Sequence, residues 1–515
     1  MKTFKLSKQI QIIIGGGIKK MRDGILHKGL VVGIILVFVG TSVSGTSVQA
    51  KVPQKTISSF EFIKTCTETS GVSFQNPNDA GGNRLGYKLL IIAPSVFSAE
   101  LQKLVTHKNN VGVPTTLVTT ETIYQTYPGT DKAEQIKYCI KDTYDQYAID
   151  YVLLVGGLKG FFKNPNNEDN WYVPARYSHL DLDGYPEAMY LSDLYFADIY
   201  WKNTTDFCNW NDHDPFEGMF GEWRWEGGQE VKDARDLVPD IAIGRWACRN
   251  LQQVKTMVDK TITYESSNHT NESWFLRFLM LGGENANDTS PGYNGVIEGK
   301  YANQMAFNWA KKRHPFIPIG LWPSEEDISK TNLTKEKFNT EQHQGSGFTY
   351  MSGHGDPGSW YAHQYYTGFH NWTFIRWWSS LRKLENGDNL PVAIIGGCNT
   401  ACFDKPLRQA TTYLSIDCFS WLYTCLPKGG SIATIGNTNI GYSLSGKAFT
   451  TDYGGYLQTH FFEVYGNGTD ILGDIWKQEI TDYVKRSDAA EDMLHCKIAE
   501  SWLLLGDPSL KIGGY

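Results

Sequence analysis

The chain has 515 residues, of which 41% are hydrophobic and 20% are charged, a composition typical of a folded globular protein. This length exceeds that of one small domain and predicts two subdomains or one large α/β unit. The formal net charge is −7 and the isoelectric point about 6.0, so the composition lacks the basic signature of a nucleic-acid partner. Nine cysteines occur without a CxxC pair, which argues against a zinc ribbon and a small disulfide-linked fold.

The first 50 residues have the pattern of a signal peptide. Basic residues at positions 19, 20, 22 and 28 precede an apolar run at residues 30–39, and small residues at 48 and 50 fit a signal-peptidase site. The run is shorter than the roughly 20 residues that span a bilayer. We therefore expect export to the cell surface or medium, with no membrane span in the mature form; if the segment is not cleaved, it would instead tether the exported chain by its N-terminus. Residues 51–84 are polar and irregular and predict an N-terminal arm.

From residue 88 onward, short apolar runs alternate with segments of helical pattern. The first predicted strands lie at residues 88–93, 113–119 and 151–155, and the first predicted helices at 98–109, with Ser98 as N-cap, and 131–147. Residues 160–236 are rich in Asn, Asp, Trp and Gly and predict long loops. Further strands are predicted at 240–244, 275–281, 348–351, 391–396 and 431–436, with a helix at 251–266.

This alternation predicts an α/β fold with doubly wound, mostly parallel sheets. Because the loop-rich stretch interrupts it, we expect two adjacent subdomains. The first α/β subdomain would cover residues 85–236, and the second would cover residues 237–515.

Two of the predicted strands end in reactive residues. One runs from Phe348 to Met351 and is followed by Ser-Gly-His354-Gly355, and the other leads through Gly-Gly to Cys398. The carboxyl ends of parallel strands meet at one edge of a sheet, so His354 and Cys398 are expected to lie together there. A cysteine nucleophile needs its thiolate, and a nearby imidazole can both accept the thiol proton and return it to the leaving amine. The backbone N–H groups of Gly355 and Cys398 are natural donors to the oxyanion.

Glycine-flanked histidines and cysteines are structural in most proteins, so the spacing alone leaves both roles open. Further ordered blocks add to it, and together they resemble the gingipain family of cysteine peptidases. The blocks that carry the resemblance are Ser352–Gly355 followed by Trp360, Ile395–Cys398 followed by Phe403-Asp404, and residues 151–157, 192–198, 239–245, 431–435 and 505–510. The resemblance covers about residues 85–513.

The resemblance implies a caspase-like fold and a secreted cysteine endopeptidase that acts through Cys398 and His354 by a covalent acyl-enzyme. Asp240 matches the position of a family carboxylate that orients the histidine, although the best-known members carry Glu there. Tyr442 matches an aromatic wall of the substrate pocket, and Trp360 is expected to contact substrate. The substrate would be a protein or peptide.

In one respect the sequence departs from the family's Arg-specific members. These carry an acidic residue at the base of the first specificity pocket, and the matching stretch at residues 248–253 contains no carboxylate. The resemblance therefore does not imply cleavage after Arg or Lys. The resemblance does imply structural calcium. The candidate ligands are the loop carboxylates of Asp181, Asp183 and Asp198, although their spacing is not that of an EF-hand. The chemistry requires no cofactor, and no catalytic metal site is predicted.

Alternative functions remain open at this point. A transpeptidase or sortase-like enzyme on the same fold would form the same acyl-enzyme and pass it to an amine instead of water. A non-catalytic surface module would retain the fold without the chemistry. A metal-dependent hydrolase would lose activity to a chelator rather than to a thiol reagent.

Overall fold

The structure is a computed structural model, and it describes residues 86–160, 163–180, 189–211, 219–226, 229–285, 296–324, 328–364, 372–376, 379–404 and 417–515. The predicted signal peptide (1–50) and N-terminal arm (51–84) lie outside these residues. From residue 86 to the last residue, the chain belongs to one structural unit. Within the described ranges, no helix combines the length and the apolar character needed to cross a bilayer.

The secondary structure alternates between strands and helices along most of the described chain. The strands are β1 (Leu89–Ala93), β2 (Thr115–Thr119), β3 (Tyr151–Val155), β4 (Tyr177–Leu180), β5 (Tyr190–Leu191), β6 (Phe220–Glu226), β7 (Gln229–Lys232), β8 (Ala242–Trp246), β9 (Arg277–Gly282), β10 (Ile317–Leu321), β11 (Phe348–Ser352), β12 (His354–Asp356), β13 (Ser359–His363), β14 (Trp372–Arg376), β15 (Val392–Gly396), β16 (Ala433–Asn437) and β17 (Trp502–Leu505). The helices are α1 (Ser95–Asn110), α2 (Thr120–Thr126), α3 (Lys132–Tyr147), α4 (Leu194–Ala197), α5 (Leu251–Glu265), α6 (Glu298–Ala310), α7 (Lys335–Gln342), α8 (Phe419–Cys425), α9 (Tyr453–Gly466), α10 (Leu472–Ser487) and α11 (Met493–Ser501).

Two of the predicted helices are confirmed, and both begin at a side-chain cap. Asp131 precedes α3 and accepts a hydrogen bond from the Glu134 backbone N–H at 2.8 Å, and Asn250 caps α5 in the same way. The helix predicted from Ser98 begins three residues earlier, at Ser95, with Pro94 in the N-cap position. Ser98 is therefore an interior residue of α1 and not its cap.

The first sheet has four parallel strands in the described part of the chain, in the order β2-β1-β3-β8. Every residue of β1, β3 and β8 is buried. Burial on both faces explains why these strands have continuous apolar sequences and not alternating ones.

A second, smaller sheet lies where the sequence predicts only long loops. Within residues 160–236, β5, β4, β6 and β7 pair in that order. The strands are short, and β6 carries both the buried Trp223 and the exposed Trp225. These strands are only two to seven residues long, and charged side chains stand between their aromatic ones, so the sequence pattern is too weak to predict a strand. The loop prediction is therefore wrong for these segments.

The largest sheet carries the two reactive strand ends. Its order is β10-β9-β11-β15-β16-β17, and all neighbours are parallel except the antiparallel edge strand β17. Helices α6 and α9 pack together beside this sheet, and α6 contacts both β9 and β11. An antiparallel hairpin sheet, β12-β13-β14, follows β11 directly.

The two large sheets adjoin at their edges. Strand β8 contacts β17, and a Cβ atom at Gly244 would lie 2.3 Å from the Gly506 carbonyl oxygen, so glycine is needed for this approach. Strand β8 belongs to the first sheet although it follows the subdomain boundary predicted at residue 237. Strand β8 pairs with β3, but the long segment between them in the chain gives the sequence no sign that they belong to the same sheet.

Candidate active site

Strands β11 and β15 are parallel neighbours, and their ends lie side by side. Ser352 pairs with Gly396, and the Gly353 N–H donates to the Gly396 carbonyl at 3.1 Å. His354 and Cys398 each follow within two residues. The sequence prediction that both lie on one edge of the sheet is therefore confirmed.

Glycines allow the two loops to touch through their backbones. A Cβ atom at Gly355 would lie 2.7 Å from the Cys398 carbonyl oxygen and 3.3 Å from the Cys398 nitrogen. A Cβ atom at Gly397 would lie 2.9 Å from the Gly355 nitrogen. Any side chain at either position would push the loops apart. The backbone nitrogens of Gly355 and Cys398, which the sequence predicts as oxyanion donors, thus border the same small region.

Cys398 differs from the other cysteines in the described residues. All eight are free thiols, and Cys398 is the one that is partly exposed while the others are buried. Its Sγ accepts a hydrogen bond from the Gly441 N–H at 3.4 Å. Burial among the cavity walls raises the pKa of the Cys398 thiol, and the N–H groups of Gly441 and of Cys398 itself oppose this shift. The next residue, Asn399, has a left-handed backbone with φ of 56°, so the chain turns sharply after the thiol.

His354 is held between an aromatic ring and a backbone carbonyl. The imidazole stacks on Tyr361 with ring centroids 5.8 Å apart, and the His363 ring lies perpendicular to it with ring centroids 5.7 Å apart. Burial lowers the pKa of His354 to about 4. A hydrogen bond from the ring to the Asn285 backbone acts in the opposite direction but does not outweigh burial. Without substrate, the thiol and imidazole are therefore both neutral at pH 7.

His354 and Cys398 line one small cavity. Its walls come from the loops after β9, β11, β15 and β16 and from the start of α9. The lining residues are Asn285, Gly353, His354, Gly397, Cys398, Asn437, Gly441, Tyr442, Ser443, Phe449, Gly454, Gln458 and Trp502. Amide and aromatic side chains dominate this set, and none of the described lining side chains carries a carboxylate.

Asp240 is not among these residues. It lies just before β8 in the first sheet, where its carboxylate accepts hydrogen bonds from the Ile199 and Tyr200 N–H groups, both at 2.8 Å. The Lys477 ammonium donates to the Asp240 carbonyl. This position does not fit the predicted role of orienting His354. The group that the structure places against the imidazole is the Asn285 backbone instead.

The two predicted substrate contacts have different positions. Tyr442 lines the cavity, with its carbonyl accepting from the Gly454 N–H at 3.1 Å. Trp360 is fully buried, and its indole N–H donates to the Gly396 carbonyl at 3.0 Å. It does not line the cavity, so its position is that of a support beneath the strand end that carries Cys398.

Other predicted residues lie away from the cavity. Residues 248–253 do not line it, and Arg249 within them forms a buried ion pair with Asp417 at 2.7 Å. Asp198 is buried and accepts a hydrogen bond from the Trp210 indole at 2.7 Å, whereas Asp181 and Asp183 lie outside the described residues, so structural calcium stays a prediction. Across the described ranges, no group of three or more His, Cys, Asp or Glu side chains is arranged to hold a metal ion.

Sequence analysis missed three residues that shape the site: Asn285, Gln458 and Glu298. The buried Glu298 carboxylate accepts from the Asn285 N–H at 3.1 Å and the Gly446 N–H at 2.8 Å. It thereby ties together two loops that bound the cavity. A signal was present for Asn285 alone, because the Gly-Gly-Glu-Asn sequence after β9 repeats the Gly-Gly ending of β15.

The mostly parallel α/β sheets, one of which carries a thiol and an imidazole at its carboxyl edge, are consistent with the caspase-like fold. The sequence matches the model of Peptidase family C25 over residues 83–513. The chain therefore belongs to peptidase family C25 and is a cysteine-type peptidase. No curated protein sequence matches the chain.

Solved structures show the same fold. The crystal structure of the Arg-specific cysteine proteinase gingipain R (RgpB) is 17% identical, with a TM-score of 0.56 over 84% of this chain and 79% of that chain. The complex of Porphyromonas gingivalis RgpB pro- and mature domains is 17% identical, with a TM-score of 0.55 over 82% of this chain and 79% of that chain. A structure described as a protease is 16% identical, with a TM-score of 0.53 over 83% and 78%.

Proposed function

We propose that the chain is an exported endopeptidase in which Cys398 is the nucleophile and His354 the general base and acid. The observation that carries this proposal is the position of Cys398. Among the described cysteines it is the one partly exposed thiol, and it shares a cavity with an imidazole from the neighbouring strand.

The reaction begins from a neutral pair. As the Cys398 Sγ attacks the peptide carbonyl carbon, its proton moves to the His354 ring, and the developing oxyanion accepts hydrogen bonds from the Gly355 and Cys398 N–H groups. Collapse breaks the C–N bond, and the imidazolium gives its proton to the leaving amine. The thioester remains on Cys398.

Water then completes the cycle. His354 takes a proton from a water molecule whose oxygen attacks the thioester carbonyl. When the C–S bond breaks, the thiolate recovers the proton and the carboxyl product leaves. The Asn285 backbone carbonyl stabilises the transient imidazolium, because it accepts a hydrogen bond from the ring.

Thiol labelling tests the assignment directly. The full chain is treated with a peptidyl chloromethyl ketone mixture, digested, and analysed by mass spectrometry, beside the variants Cys398→Ala and His354→Ala. We expect a single adduct on Cys398 that requires His354, together with cleavage of a peptide library to free carboxylates. New amide products would replace hydrolysis with transpeptidation, and absence of both adduct and cleavage in folded protein would overturn the proposal.

Matched controls separate the dyad from its neighbours. Cys402→Ala removes a buried thiol four residues away, and His363→Ala removes the ring that lies perpendicular to the His354 ring. Labelling of Cys398 should persist in both. Export is tested independently by N-terminal sequencing of the protein recovered from outside the cell, which should begin near residue 51.

A further inference from the structure

The cavity beside the thiol has an unusual polar lining. Three of its side chains are primary amides, namely Asn285, Asn437 and Gln458, and its apolar walls are Tyr442, Phe449 and Trp502. Each of these six residues is at least nine-tenths buried. Such a lining favours a ligand that forms several hydrogen bonds without carrying a charge, since a buried charge needs an opposite charge to pair with it.

Asn285 is the most informative of the three amides. Its backbone is fixed at both ends, because its N–H donates to Glu298 and its carbonyl accepts from the His354 ring. The residue as a whole is 5% exposed, yet neither Oδ1 nor Nδ2 of its side chain forms a hydrogen bond with any described residue. A buried amide with both polar atoms unsatisfied is costly to the folded chain. The donor and acceptor are therefore available to something that enters the cavity.

In the other two amides the carbonyl oxygen already has a partner within the protein. The Gln458 Oε1 accepts from the Tyr350 hydroxyl at 3.3 Å, and the Asn437 Oδ1 accepts from the Asn439 N–H at 2.8 Å. With each carbonyl oxygen engaged, the NH₂ group is the part that remains for a ligand. Gln458 also packs directly on Gly396, two residues before the nucleophile.

We propose that this cavity is the first specificity pocket and that it selects a neutral amide side chain, Asn or Gln, in the residue whose carbonyl is attacked. The inference rests on the proposed peptidase function. The Asn285 side chain supplies both a donor and an acceptor to the substrate amide, and Gln458 and Asn437 donate to its oxygen. A guanidinium or ammonium group would meet donors and no carboxylate among the described lining residues.

The primary test uses internally quenched peptides that differ only in the residue before the cleaved bond: Asn, Gln, Ala, Asp, Arg or Leu. The full chain should cleave the Asn or Gln peptide with kcat/KM at least about 10-fold above the others, the discrimination expected when a site is built to hydrogen-bond its ligand. Highest activity on Arg, Asp or Leu would overturn the inference while leaving the peptidase function intact. Cleavage of no peptide, with no chloromethyl ketone adduct on Cys398, would remove the peptidase function and the inference together.

Asn285→Ala tests the residue itself. The ratio of kcat/KM for the preferred amide peptide over the Ala peptide should fall about 10- to 100-fold, the effect of losing hydrogen bonds to a buried polar group. A merely structural role for Asn285 would lower both rates together and leave the ratio unchanged, which would overturn the assignment. Because a ratio is measured, a partly misfolded sample gives the same answer.

A charge substitution sharpens the test. Gln458→Glu places a carboxylate in the pocket at constant size and should raise kcat/KM for the Arg peptide relative to the Asn peptide by about 10-fold or more. The matched control is Gln342→Glu. Gln342 is also buried and accepts from Thr349 of the same strand that carries Tyr350. Because Gln342 does not line the cavity, the substrate preference of this variant should stay that of the parent. A shift of the same size in both variants, or in neither, would overturn the inference.

Discussion

The two large sheets end in similar sequences but in different chemistry. Strand β3 of the first sheet and strand β15 of the second both run into a Gly-Gly pair, at Gly156-Gly157 and Gly396-Gly397. In the first sheet the Gly156 carbonyl accepts from the Arg245 guanidinium at 2.9 Å. In the second, the pair leads to a partly exposed thiol in an open cavity.

The difference lies in whether the polar groups at each edge have partners. Arg245 is fully buried and forms a two-point ion pair with Asp193, with both N–O distances 2.7 Å. Its remaining donors reach the carbonyls of Gly156, Val173 and Pro174. Asn285 at the second edge has a buried side chain without a described partner. A saturated edge holds the fold together, and an unsaturated edge is available for a ligand.

The largest expected effect is on activity at the second edge. Cys398→Ala should lower peptidase activity by at least about 10³-fold, because no other group forms the acyl-enzyme. The free energy of unfolding should change by less than about 1.5 kcal/mol, since one partly exposed sulfur is removed. Steady-state kinetics and urea denaturation measure the two quantities. Cys402→Ala is the control and should keep its activity, and a Cys398→Ala variant with a tenth of the parental activity would contradict the comparison.

The complementary change is at the first edge. Arg245→Met removes the guanidinium and leaves Asp193 buried without its ion-pair partner, which should lower the free energy of unfolding by about 3–5 kcal/mol. Urea denaturation measures this loss. The double variant Arg245→Met with Asp193→Leu should recover part of it, because no unpaired charge remains. A single variant as stable as the parent would show that this edge tolerates unpaired groups after all.

A third test concerns the contact between α5, the helix that follows the first sheet, and the segment that leads into β16 of the second large sheet. Lys260 on α5 is buried, and its ammonium donates to the carbonyls of Thr424, Gly429 and Ser431 at 2.6 to 2.9 Å. Lys260→Met would leave these carbonyls unsatisfied and should cost about 2–3 kcal/mol of unfolding free energy in urea. Lys255→Met on the same helix removes an exposed lysine and should cost less than about 0.5 kcal/mol. Equal losses in the two variants would contradict a specific role for the buried ammonium.

The sequence predicts the scaffold of both regions better than their edges. Strands such as β1, β3 and β15 begin and end within about two residues of their predicted positions, because burial on both faces requires an unbroken apolar run. The position of His354 and Cys398 at the sheet edge is predictable as well, because each residue follows the carboxyl end of such a strand. Short strands such as β4 carry no such run, and they were missed.

The remaining parts of the site depend on contacts that leave no mark in a linear pattern. Asp240 was favoured for its carboxylate, whereas the imidazole is held by the backbone of Asn285, and every residue type has a backbone carbonyl. Gln458 reaches the cavity from a helix sixty residues beyond the nucleophile. Trp360 was expected to contact substrate, but whether an indole faces a cavity or supports a strand depends on the hairpin that carries it.

The smallest expected effect concerns how the thiol depends on pH. Because burial raises the pKa of Cys398 and lowers that of His354 to about 4, both groups are neutral between pH 6 and pH 8. The thiolate fraction then grows with pH throughout this range, so the rate of alkylation by iodoacetamide should rise about 10-fold per pH unit. Mass spectrometry of the Cys398 peptide follows this rate without any substrate. A thiolate–imidazolium pair formed in advance would instead give a rate that is flat from about pH 5 to pH 8. A flat profile would mean that the second edge holds a charged pair before substrate arrives, as the first edge does with Arg245 and Asp193, and a tenfold slope would mean that substrate binding must bring about the charge separation.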